Sequence, residues 1–237
     1  MERTNVMTNP SEVRRRAWLR TGAALVCTAV IGVGVFAGDA DARKRAQPSF
    51  FNSTETRSKN MKPFKKWTGA LKRFTAQKAK EEQGSCESTA FNYCHYQEWQ
   101  KFLAGLEGKD KWDQILSVNR FMNSRRYITD PRNWGQKDYW ATPIEFMKRF
   151  GDCEDYSISK YASLKQLGFT DDEMRLAAVK DLNLKVGHAI LIVWHGGKTW
   201  LLDNQIKRVV ETETVRHYKP VFSINQTAWW RHRAKKG

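Results

Sequence analysis

RFGDCEDYSISKYASLKQLGF, residues 149–169, sets Cys153 among three carboxylates, Asp152, Glu154 and Asp155. The stretch reads as a turn feeding a helix. Asp152 is a good N-cap, Cys153 takes the first helical position, Ile158, Tyr161, Ala162 and Leu164 or Leu167 supply a buried side, and Gly168 ends the helix. A helix N-terminus favours a thiolate, whereas three adjacent carboxylates oppose one. The motif therefore asks what could reverse the sign of its own acids.

Working outward, Thr142-Pro143-Ile144-Glu145 supplies an N-cap, a proline at the first helical position and a capping-box glutamate, so a short helix is expected through Phe150. Further back, Ile115, Leu116 and Met122 recur at helical spacing, which predicts an amphipathic helix from 111 to about 124. Beyond Gly168 the period changes. MRLAAVKD (174–181), HAILIVWH (188–195) and TWLLDN (199–204) read as strands, the last two joined at Gly196-Gly197. A helical front half followed by an antiparallel sheet is an α+β fold.

Pairing His195 with Lys198 across that turn sets Ile190 opposite Asp203 and His188 opposite Gln205. Strand residues two apart share a face, so His188 and Asp203 become diagonal neighbours within side-chain reach. Asp203 would then fix the tautomer of His188, leaving its other nitrogen for a nucleophile. Taken singly, each residue has a plainer reading: a structural histidine in an apolar strand, an aspartate that forms a turn, a cysteine that only packs. Their combination makes a Cys-His-Asp hydrolase or transferase a serious candidate.

The N-terminus reads as addressing information. Arg14, Arg15, Arg16 and Arg20 precede an apolar run over 22–37 and the small-residue sequence Ala40-Asp41-Ala42, as in a secretory signal peptide over residues 1–42. Next comes a basic polar arm at 43–62, with a single domain expected over 63–237. Without the signal, 36 Lys and Arg (41 less 5) face 21 Asp and Glu (25 less 4), a net charge of +15. That favours anionic partners without naming one, and export argues against nucleic acid. No later segment is apolar enough to span a bilayer, so the mature chain is not expected to be an integral membrane protein. Of the three cysteines left, Cys86 and Cys94 lie close enough for a local disulfide in an oxidising compartment, which makes Cys153 the free thiol.

The run from Trp140 to Gly168, with its core GDCEDY followed by KY, then HAILIV and LDN, resembles the bacterial transglutaminase-like cysteine peptidases. These include periplasmic adhesin-processing proteases of the LapG type. The upstream SVNRFMNSRRYITD and WGQKDYWATP also fit the family's pattern, and the likeness extends from about 64 to 230. It implies a papain-like, transglutaminase-type fold, with Cys153 as nucleophile, His188 as general base and Asp203 orienting it. It further implies a Ca2+ ion held by Asp152, Glu154 and Asp155, which would answer the opening question, since a hard cation bound by carboxylate oxygens reverses their local sign. Without the resemblance, those acids simply complement a helix dipole. The implied substrate is a large surface adhesin, cut near its N-terminus at a pair of small residues to control attachment and biofilm release. The implied inhibitor is an inner-membrane receptor for cyclic di-GMP.

Two other functions fit the same residues. A transglutaminase-type acyl transferase would use the triad with an amine in place of water, and an acyl-acceptor assay separates it. A non-catalytic envelope-binding module would use the ten tryptophans and the positive charge instead. Most of the tryptophans are expected in or beside the core, with Trp229-Trp230 the better candidate for a surface contact. His95, His195, His217 and His232 have no partners in their spacing and are assigned no role.

Overall fold

The computed structural model describes residues 47–81 and 95–235. The expected signal peptide and the Cys86–Cys94 pair lie outside these residues. In chain order the elements are β1 (Ser53–Ser58), α1 (Lys65–Glu81), α2 (His95–Ala104), α3 (Lys111–Asn123), α4 (Asp130–Trp134), α5 (Pro143–Arg149), α6 (Cys153–Gln166), β2 (Met174–Asp181), β3 (Gly187–His195), β4 (Lys198–Leu202), β5 (Val210–Glu211), β6 (Tyr218–Ile224) and β7 (Trp229–Ala234). After the leading strand β1 come the helices and then the other six strands, and all seven form one antiparallel sheet of order β1-β7-β6-β2-β3-β4-β5. The fold is α+β, as the change of hydrophobic period implies.

Local chemistry sets the boundaries of the helices that carry the site. Asp110 caps α3 by accepting from the Trp112 N–H at 2.7 Å. On α5, the Thr142 hydroxyl accepts from the Glu145 N–H while the Glu145 carboxylate accepts from the Thr142 N–H, at 3.1 and 2.8 Å. That helix ends at Phe150, whose φ of 61° reverses the chain into Gly151. A Cβ at Gly151 would lie 2.1 Å from Asp155 Oδ2, so only glycine lets α6 begin so close.

Helix α6 is buried on every side from Asp155 to Leu164, not on one stripe only. It packs against α3 and α5 on one side and against β2 and β3 on the other. Serines make this possible, being small and able to return their hydroxyls to the helix: Ser157 donates to the Cys153 carbonyl at 2.9 Å and Ser163 to the Ser159 carbonyl at 2.7 Å. Ser163 also accepts from the Trp99 indole N–H at 2.9 Å.

Four strands of the sheet, β1, β5, β6 and β7, were not foreseen in the sequence. β1 arises inside the segment read as a basic polar arm and pairs along its whole length with β7. β6 and β7 complete the sheet beyond β2. Trp229 and Trp230 are consequently not a surface platform. Trp230 is buried with the Arg175 guanidinium 3.4 Å from its ring centroid, and Trp229 packs on Phe64 while donating to the Asn60 carbonyl at 3.0 Å. Alternation in a strand forces one of two neighbouring tryptophans inward, which the pair read by itself does not reveal.

Candidate active site

One end of the sheet gathers the start of β3, the residues just after β4 and the start of β6, and the N-terminus of α6 meets it there. The β3–β4 register runs Leu191 to Leu202 through His195 to Lys198, the pairing expected across the glycine turn. Both turn glycines have positive φ, 61° and 74°, as a two-residue hairpin loop of this kind requires. His188 and Asp203 meet in consequence: His188 Nε2 lies 2.8 Å from Asp203 Oδ1, both side chains being almost wholly buried.

Asp203 is held on all sides. Its Oδ1 also accepts from the Gln205 N–H at 2.9 Å, its Oδ2 accepts from the Tyr218 hydroxyl at 2.7 Å, and its own carbonyl accepts from Asn123 on α3 at 2.7 Å. Burial works against its charge, but His188, the Gln205 N–H and the Tyr218 hydroxyl outweigh it and hold the carboxyl below its ordinary value. Because a carboxylate only accepts, His188 Nε2 carries the proton and Nδ1 has the lone pair. The Gln205 amide nitrogen lies 3.3 Å from that Nδ1. Neither Tyr218 nor Gln205 was assigned a role from the sequence; the hairpin register already set Gln205 opposite His188, but only the folded chain brings Tyr218 to Asp203.

Beneath this pair, Lys160 is buried on α6. Burial pushes its ammonium down to about 7, against the pull of Asp203. Cys153 stands two helical turns above it, where the backbone N–H of Ala189, next to His188, faces the sulfur and favours the thiolate. The thiol itself donates to Glu154 Oε2 at 3.2 Å. Burial first, then the Glu154 charge and this hydrogen bond, push the Cys153 thiol well above its ordinary value.

The acids around Cys153 are crowded. Oxygens of Asp130, Asp138 and Glu154 lie within 4.8 Å of one another, as do those of Asp130, Asp152 and Asp155. Burial and neighbouring negative charge raise all four interior members: Asp130 to about 6, Glu154 to about 8, Asp152 above its ordinary value and Asp155 well above it. Asp130 Oδ1 and Asp152 Oδ1 are buried without a hydrogen-bond partner. Asp155 differs, since its Oδ1 accepts from the Ala141 N–H at 2.7 Å and its Oδ2 from the Asp152 N–H at 3.3 Å.

This donor set fits calcium. Oxygens on opposite sides of a calcium ion stand up to about 5 Å apart, and orphaned buried carboxylate oxygens are costly until a cation meets them. Asp130 and Asp138 join the three acids named from the motif. They precede it by 22 and 14 positions, counted from Asp152, and only the loop from α4 to α5 brings them back. The Asp-Pro start of α4 marked a turn without marking a ligand.

Comparison with known proteins gives the family of the chain. No curated protein matches the chain. Among solved structures it is similar to calcium-bound Legionella pneumophila LapG, at 28% identity and a TM-score of 0.56, covering 61% of this chain and 81% of that one. EGTA-treated LapG from the same organism matches at 29% identity and a TM-score of 0.54, over 59% and 77% of the two chains. The family model described as bacterial transglutaminase-like cysteine proteinase BTLCP matches residues 80–236. The chain belongs to that family of cysteine peptidases.

Proposed function

We propose that this protein is a calcium-dependent cysteine endopeptidase in which Cys153 is the nucleophile, His188 the general base and then acid, and Asp203 the group that orients His188. The observation that carries the reading is the buried His188–Asp203 pair, 2.8 Å apart, beside the helix N-terminus that bears the free thiol. In the reaction, the Cys153 proton moves to His188 Nδ1 and the sulfur attacks a peptide carbonyl carbon. His188 then gives the proton to the leaving amine, and water, losing its own proton to His188, resolves the thioester. Asp203 stabilises the imidazolium throughout. Backbone N–H groups at the start of α6 would stabilise the oxyanion.

Asp130, Asp138, Asp152 and Glu154, with Asp155 at the edge of the cluster, would hold the calcium ion. Bound there, calcium supplies positive charge that offsets the carboxylates around the thiol. Glu154 is the hinge of this scheme, because it accepts from the thiol and belongs to the acid cluster as well. As a calcium ligand Glu154 would no longer be the acceptor for the thiol, and His188 would be the base for the Cys153 proton. The periplasmic location, the surface adhesin as substrate and the inner-membrane cyclic di-GMP receptor as inhibitor belong to the same proposal and rest on the resemblance of the GDCEDY motif and its flanks to the LapG-type peptidases. No helix among the described residues is long and apolar enough to cross a membrane.

The test is alkylation of the full chain with iodoacetamide at pH 6 to 7, in calcium or in excess EGTA, with the labelled cysteine identified by mass spectrometry. Rapid labelling of Cys153 in calcium, suppressed by EGTA and by His188→Gln, is the expected result. An ordinary thiol profile in both solutions would overturn the reading.

A further inference from the structure

Three large apolar side chains stand in solvent on the turn that joins β2 to β3: Leu182, Leu184 and Val186, at 47%, 60% and 51% exposure. The turn is braced, not slack. Asp181, itself buried, accepts at Oδ1 from the N–H groups of Asn183 and Leu184 at 2.8 and 3.0 Å, and its own N–H donates to the Val186 carbonyl at 2.9 Å. The Leu182 N–H donates to the His217 carbonyl at 2.8 Å, tying the turn to the start of β6. A rigid frame therefore holds apolar surface outward at the same end of the sheet as His188 and Asp203.

Val186 precedes His188 by two residues. It lies in the bend just before β3 opens at Gly187, so its Cα is within about 7 Å of that of His188. On the Cys153 side, Tyr127 is 51% exposed and bridges to Gly151, two residues before the thiol, while the Ile128 N–H donates to the Gly151 carbonyl at 2.9 Å. Exposed apolar residues thus flank both members of the proposed reacting pair. Such residues scattered singly mean little, but these sit at the two edges of one site.

The occupant follows from position and from family. A chain of the cysteine peptidases takes a protein substrate, and whatever covers this ridge is continuous with the segment lying over Cys153 and His188. We propose that the β2–β3 turn, with Tyr127 on the Cys153 side, is the specificity ridge of this peptidase, and that it selects an extended segment carrying a bulky apolar side chain near the scissile bond. An extended chain advances about 3.3 Å per residue, so Val186 and Leu184 meet side chains about two to four residues from that bond. This rests on the assignment of Cys153 and His188 as the reacting pair.

The experiment uses the full chain in calcium and synthetic decapeptides with a central Ala-Ala bond, differing only two to four residues from it, where they carry Leu, Val, Ser, Glu or Lys. Peptides with Leu or Val should be cleaved with kcat/KM about 10-fold or more above the polar ones. The double variant Leu184→Ser, Val186→Ser should lose that preference mainly through KM, while iodoacetamide labels Cys153 at the wild-type rate. Equal cleavage of all peptides by the wild type, or a preference retained by the variant, overturns the ridge, and the second result is also what a ridge that docks an inhibitor would give. A peptide set left intact by protein whose Cys153 still labels rapidly overturns the ridge too and leaves the nucleophile standing. An inert Cys153 strikes the catalytic assignment itself.

Discussion

His188 and His232 are equally hidden, at 5% and 6% exposure, and each ring has a polar partner at both nitrogens. Their partners differ in kind. His232 lies between the hydroxyls of Ser53 and Ser223, each 2.9 Å away, with the Phe50 ring centroid 4.7 Å from its own. A hydroxyl donates or accepts as needed, so both suit a neutral ring, and burial with the nearby Arg175 charge pushes His232 down to about 4. His188 instead has an acceptor-only carboxylate on one nitrogen and the exposed Gln205 on the other. Burial does not distinguish a working histidine from a fastener. A fixed carboxylate on one nitrogen and a displaceable partner on the other does.

The sharpest way to break this contrast is to replace each ring by glutamine. His188→Gln should lower peptide turnover by about 1,000-fold or more, as expected when a general base and acid is lost. His232→Gln should leave turnover within about 3-fold and cost ~1–3 kcal/mol of unfolding free energy, because it loosens the seam of β7 with β1 and β6. Urea unfolding and peptide cleavage measured on both variants decide the matter, and a folded His232→Gln protein without activity would abolish the distinction.

A pH series sharpens it. The folded value of His232, about 4, lies below the 6.5 of the free side chain, so its contribution to stability is intact above pH 6.5. It is lost as the pH falls toward 4, because the unfolded chain then binds a proton that the folded chain refuses. At about 1.4 kcal/mol per pH unit, the loss reaches up to ~3 kcal/mol. The His232→Gln protein should lack this component of the acid-side slope in urea unfolding.

The smallest effect concerns Gln205. Its amide donates to the Nδ1 lone pair that, in the proposed mechanism, receives the Cys153 proton, so Gln205→Ala should raise the labelling rate of Cys153 in calcium by about 2- to 10-fold, the worth of one exposed hydrogen bond. A lower rate would mean that the amide supports the base instead of competing with Cys153 for it.

Much of this was legible along the chain because it depends on short spacings. The capping box at Thr142 and Glu145, the start of α6 at Cys153 and the Gly196-Gly197 hairpin are all local, and the hairpin register alone brings His188 and Asp203 together. The amphipathic stripe expected of α6 was too narrow, since a helix covered by α3, α5, β2 and β3 buries its serines and Lys160 as well as Ile158, Tyr161 and Leu164. β1 was read as a polar arm because STETRS has no apolar face of its own. It becomes a strand by pairing with β7 and placing Ser53 on His232.

By itself, then, the sequence determined the change from helices to the strands β2, β3 and β4, the helix that presents Cys153, and the hairpin that carries His188 and Asp203, all of which follow from steric and hydrogen-bonding rules acting over a few residues. Only the tertiary structure decided that Asp130 and Asp138 return to the acids of the GDCEDY motif, that Tyr218 closes on Asp203, and that Trp230 and His232 are structural. Those outcomes depend on groups far apart in the chain sharing one desolvated volume, where charge and hydrogen-bond capacity must be settled together.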